Sequence, residues 1–115
     1  MFEFAYKDII DDSPSAMRAQ ERKALDTVIQ MLRDASAKGV RSAEATNALY
    51  QLRRLWGVFL DDLKSPDNGL PDSLRARLIS IGIWVNKECE RLRTGASEDF
   101  TPLIEINEII RNGLN

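Results

Sequence analysis

With 115 residues, 43% hydrophobic and 30% charged, the chain has the length and balance of one globular domain rather than of a disordered segment. Its 16 basic and 18 acidic residues are interleaved and leave a formal net charge of −2, which disfavours nucleic acid as the main partner, because a phosphate backbone is met by an excess of positive charge on one face. Histidine is absent and Cys89 is the one cysteine, so the commonest general base, the commonest transition-metal ligand and an intrachain disulfide are all excluded.

In residues 1–12, Phe2, Phe4 and Tyr6 alternate with Glu3, Ala5 and Lys7 as in a strand. No second strand follows to pair with it, and a lone strand is not stable. The expectation is a short N-terminal lead-in, extended and then helical for one turn from Tyr6 to Asp11, with its aromatics docked on the rest of the chain. The alternative is a segment that orders when a partner binds. No basic region precedes an apolar run there, so it does not read as a signal peptide.

The first helix is expected at about 14–38. Ser13 is a good N-cap, Pro14 a good first helical residue and Gly39 a left-handed stop. Leu25, Val28, Ile29, Leu32 and Ala35 recur at helical spacing, while Arg18 to Lys23 is mostly polar. The second helix is expected at 43–64, with Ser42 as N-cap and Glu44 in the first turn, where the helix dipole favours an anion. Ala45, Ala48, Leu49, Leu52, Leu55, Trp56, Phe59, Leu60 and Leu63 fall on its apolar stripe. Ser65-Pro66-Asp67-Asn68-Gly69 is dense in turn residues. The third helix is expected at 71–93, starting at Pro71 and stopping at Thr94-Gly95. The fourth is expected at about 98–112, although Ser97 and Thr101-Pro102 are both good starts. Leu103, Ile104, Ile106, Ile109, Ile110 and Leu114 give it a dense aliphatic face.

Helices of this length joined by short turns predict an all-α fold, a compact antiparallel bundle of four main helices with a short N-terminal lead-in, forming one domain over residues 1–115. The stretch from Leu70 to Arg93 organises it, because its middle is apolar on more than one side. Leu74, Leu78, Ile81 and Val85 form one stripe. Gly82, mid-helix, costs about 1 kcal/mol relative to alanine and marks the close approach of another helix. Leu52, Trp56, Phe59, Leu78, Ile81 and Gly82 are therefore the expected structural anchors. Ile79, Ile83 and Trp84 lie off that stripe and, with Phe2 and Phe4, are the candidate partner-binding residues. An amphipathic helix laid into the groove they form is the binding mode that suits such a surplus.

Chemistry is thin. Asp11-Asp12 and Asp61-Asp62 are adjacent carboxylates, which diverge by about 100° on a helix and make no bidentate site on their own. Cys89 has no histidine to activate it. No phosphate-binding glycine loop occurs. The reading is of a non-enzyme without metal or cofactor. Arg18, Arg22 and Lys23 form the densest basic group, and Glu21 and Asp26 interrupt it. The longest uncharged apolar stretch, Leu78 to Val85, is far short of a membrane span, so the expected location is cytoplasmic, with no membrane partner.

Arg53-Arg54-Leu55-Trp56, followed by Phe59 and Asp62-Leu63, resembles the RRLW-x-x-F-x-x-DL core of the FlaF family, the flagellar biosynthesis regulators of alphaproteobacteria. Leu70-Pro71 with Leu74-Arg75-Ala76, Leu78-Ile79-Ser80-Ile81-Gly82 and Trp84-Val85 resemble that family too. So do Tyr6, the run from Arg18 to Asp26, Leu103-Ile104-Glu105-Ile106, Ile109-Ile110-Arg111 and Gly113-Leu114. The likeness implies a flagellin-binding secretion chaperone and regulator, needed for flagellin synthesis, export and filament assembly. It also implies flagellin as partner, with an FlbT-type regulator as a second candidate. The alternative it leaves is a post-transcriptional regulator of flagellin messenger RNA, acting directly through Arg18, Arg22 and Lys23 or with that second protein; direct RNA binding is disfavoured by the acidic pI of about 5.2. It implies no catalytic residues.

Overall fold

Four helices form where the apolar spacing and the punctuating Ser, Pro and Gly residues place them: α1 at Pro14–Lys38, α2 at Ala43–Lys64, α3 at Asp72–Thr94 and α4 at Thr101–Asn112. This computed structural model describes residues 14–113, with side chains from residue 19 onward. The lead-in, with Phe2 and Phe4, and Leu114 lie outside the described residues. No strand occurs among the described residues, and the fold is the all-α bundle that the periodicity predicts.

The helix ends follow from local chemistry. Gly39 and Gly95 take φ of 99° and 83°, the left-handed conformation that costs other residues a Cβ clash. The Ser42 hydroxyl oxygen accepts from the Ala45 backbone N–H at 3.0 Å and so caps α2. At the far end of α2, Arg75 reaches across from α3. Its Nε donates to the Leu63 carbonyl at 3.0 Å, which the helix end leaves without an intrahelical partner, and its Nη2 donates to the Ser65 carbonyl at 3.2 Å.

Two expected starts shift. Pro71 has ψ of 143° and stands outside α3 as its cap, so the helix begins at Asp72 rather than at 71. The fourth helix begins at Thr101, not near 98. Ser97 and Asp99 are used in the turn before it. The Asp99 backbone N–H donates to the Ser97 hydroxyl at 3.2 Å, and the Thr101 N–H donates to Asp99 Oδ1 at 2.9 Å. That last bond holds the Asp99 carboxyl below the usual carboxylate range. The turn sends the buried Phe100 ring inward before the helix can start.

α2 is the centre of the bundle and packs on both α1 and α3, while α4 lies against α1. Neighbouring helices run antiparallel. Along α1 and α4, Asp26 pairs with Arg111 and Arg33 with Glu108. Along α2 and α3, Arg53 pairs with Glu90 near one end, and Arg75 caps α2 at the other.

The core gathers Leu25, Leu32 and Ala35 from α1, Leu52, Trp56, Phe59 and Leu63 from α2, Val85, Cys89 and Leu92 from α3, Phe100 just before α4 and Leu103 within it. The Trp56 and Phe59 rings meet edge to face, with centroids 5.4 Å apart. Leu78 and Gly82 are also buried. Ile81, expected among the anchors, is only half-buried at the core's edge. The reason is that α4 packs on α1 and leaves a seam open toward α3.

Candidate functional site

That seam is an apolar groove of about 420 Å³, in the range of ligand-binding clefts. α3 contributes Ser80, Ile81 and Trp84, and α4 contributes Pro102, Glu105, Ile106 and Ile109. Residues three or four apart share a helix face, so Ile81 and Trp84 stack on one wall and Pro102, Glu105, Ile106 and Ile109 on the other. Trp84 is 38% exposed and Ile109 is 64% exposed. Exposed side chains of this size, set beside half-buried aliphatics, are what a bound apolar face would cover.

The structure divides the candidate residues that the sequence grouped together. Trp84 lines the groove. Ile83, 47% exposed, does not, because the next position on a helix points about 100° away. Ile79 is half-buried and packs on the core rather than lining the groove. Phe2 and Phe4 lie outside the described residues. Ile81, expected as an anchor, packs against the core and also lines the groove.

Two side chains that the helical periodicity does not single out also shape this region. Phe100 pins the turn that leads into α4. Asn107, fully buried, ties α4 to the centre. Its Oδ1 accepts from Trp56 Nε1 at 2.8 Å, and its Nδ2 donates to the Leu103 carbonyl at 2.8 Å. Its position four after Leu103 and three before Ile110 was the available signal, since it places an amide in the middle of a buried stripe.

Among the described residues the groove holds one titratable group, Glu105, and one hydroxyl, Ser80, with no histidine to activate it. It can bury an aliphatic or aromatic face and carries no donor set for a metal. Cys89 faces elsewhere and is buried. Burial pushes its thiol up to about 12, against an opposing pull from Arg53. The thiolate is the reactive form, so Cys89 is expected to resist maleimide in the native protein at neutral pH and to react fully once urea unfolds it. Full native labelling at the rate of a free thiol would contradict the burial. The sign of the linkage follows. Above about pH 9 the unfolded chain loses the proton that the folded chain keeps, so stability falls as pH rises from about 9 toward 12.

Among the described residues no helix is long and apolar enough to cross a membrane. Compared with known proteins, the chain matches the family model described as "Flagellar protein FlaF" over residues 2–114. No curated protein and no solved structure matches it.

Proposed function

Because the chain belongs to the FlaF family of flagellar proteins, we propose that it is a cytoplasmic flagellin-binding chaperone and regulator that works by binding rather than by catalysis. The observation that supports the reading is the apolar groove between α3 and α4, with Trp84 and Ile109 exposed at its rim. Flagellin's terminal segments are amphipathic and need cover before export. An amphipathic helix laid in a groove places residues at i, i+3, i+4 and i+7 against the apolar lining, which suits the length and chemistry of this seam. In this reading any influence on flagellin messenger RNA runs through an FlbT-type protein partner. The partly exposed indole of Trp84 is the natural anchor, since tryptophan is the residue most enriched among binding hot spots.

Calorimetry with purified monomeric flagellin tests this directly. Binding at micromolar concentration or tighter is expected. Trp84→Ala should weaken it by about tenfold or more, with the melting temperature within a few degrees of the parent. Absence of binding at micromolar flagellin would sink the proposal. Should Trp84→Ala unfold the protein instead, the ring belongs to the core and the groove is not the site.

A further inference from the structure

A second hollow lies between α2, α3 and the turn that ends α1, and encloses about 610 Å³. Its floor is apolar, with Leu49 and Cys89 both buried. Its rim carries Tyr50, Arg53, Arg54 and Arg93. Of these three guanidiniums, two lie against one carboxylate, that of Glu90. Glu90 accepts from Arg93 Nε at 2.8 Å and again from its Nη2, and it lies 3.8 Å from Arg53. Both Glu90 oxygens accept from Arg93, and the Arg53 charge stands at ion-pair range without a hydrogen bond to it. Arg54 has no carboxylate partner among the described residues. Its guanidinium sits 5.8 Å from the centroid of the Tyr50 ring. That is within cation–π range, and the ring takes none of the guanidinium's N–H donors in a hydrogen bond. A chain of net charge −2 thus keeps a local positive excess beside an apolar recess.

The charge and the floor together define the occupant. A nucleic-acid strand wants a continuous track of cations and open aromatic faces for stacking. Here Glu90 breaks the track, and one face of Tyr50 already carries Arg54. Carboxylates on either side of an apolar side chain match the recess better, because guanidiniums take carboxylates in charge-assisted, two-pronged hydrogen bonds. We propose that this recess docks an acidic segment of a protein partner, with an apolar side chain on the Leu49–Cys89 floor and carboxylates on Arg54, Arg53 and Arg93.

This site does not depend on the groove. At about 100° per residue, the row Asn86, Cys89 and Arg93 leaves α3 roughly 180° from Trp84. The two hollows flank opposite sides of one helix and can be filled at the same time.

Fluorescence anisotropy on the full chain tests the proposal. The probe is a short labelled peptide whose leucine and phenylalanine are flanked by glutamates. Its companions are the same peptide with glutamines and a labelled single-stranded uridine oligomer. The acidic peptide is expected to bind, and the glutamine peptide to bind about tenfold more weakly or worse. Arg54→Glu should cost the acidic peptide about tenfold, while Trp84→Ala leaves it unchanged. Circular dichroism checks that Arg54→Glu folds; if it does not, Arg93→Gln replaces it with the same expectation. No binding of the acidic peptide, equal binding by the arginine variant, equal loss in Trp84→Ala, or tighter binding of the RNA would each overturn the proposal. Peptide binding that survives while flagellin fails to bind would leave this site standing without the groove reading.

Discussion

Trp56→Ala is expected to lower stability by about 3–5 kcal/mol, a large share of the roughly 5–15 kcal/mol that holds a domain folded. The melting temperature should fall by about 12 °C or more. Three losses coincide. The indole is fully buried, so its removal opens a cavity at the centre of the bundle. Phe59 loses its edge-to-face partner. Asn107 Oδ1 loses the 2.8 Å donor that fixes it. Trp56→Phe separates these effects. It keeps most of the apolar area but leaves the buried amide oxygen without that donor, at a cost of about 1–3 kcal/mol. Adding Asn107→Leu should recover part of that cost, because removing both partners of a buried hydrogen bond is cheaper than removing one. Urea unfolding followed by circular dichroism reads all three variants. A Trp56→Ala protein within about 1 kcal/mol of the parent would mean that the ring is not the hub of the core.

Enlarging Gly82 should have the second largest effect. A Cβ there would stand 2.6 Å from Leu60 Cδ2, 3.0 Å from Leu60 Cγ and 3.1 Å from Trp56 Cε3. The Leu60 methyl can rotate away, but the indole, held by Phe59 and Asn107, cannot. Alanine gains about 1 kcal/mol of helix propensity and is expected to lose more than that to the crowding. Leucine has no room and should cost about 3 kcal/mol by pushing α3 off α2. The order of stability is therefore glycine, alanine, leucine, measured by urea midpoints. An alanine variant stabilised by the full propensity gain would show that the two helices are not in tight contact at this point.

The sequence was most informative where one residue type has one backbone job. Gly39, Ser42 and Gly95 set helix ends, and the α2 stripe from Ala45 to Leu63 marks a central helix, because each signal is local. The start of α4 was ambiguous for the same reason. Ser97 and Thr101-Pro102 are equally good openings, and the choice falls to Phe100, whose burial depends on a pocket made by other helices. The candidate site was half legible. Periodicity shows that Ile79, Ile83 and Trp84 lie off the main stripe of α3. It does not say which neighbour each one meets. Trp84 turns toward α4, Ile83 toward water and Ile79 toward the core, a division set by where α4 docks rather than by anything within α3. The arginine-rimmed recess was out of reach altogether. Arg53 and Arg54 stand together in the sequence, but Arg93 reaches them only through the packing of α3 on α2.

The two ion pairs between α1 and α4 have opposite polarity, and this bears on which way the last helix can dock. α1 presents an anion at Asp26 and a cation at Arg33, while α4 presents an anion at Glu108 and a cation at Arg111. In the observed direction each charge meets its opposite. Were α4 inserted the other way round, Asp26 would face Glu108 and Arg33 would face Arg111. Each exposed pair is worth no more than about 1 kcal/mol to the folded state, yet reversal would turn two attractions into two repulsions. The pairs therefore discriminate between two bundles that bury nearly the same aliphatic face. A short helix rich in isoleucine needs such a tag more than it needs the added stability, because greasy packing alone is indifferent to direction.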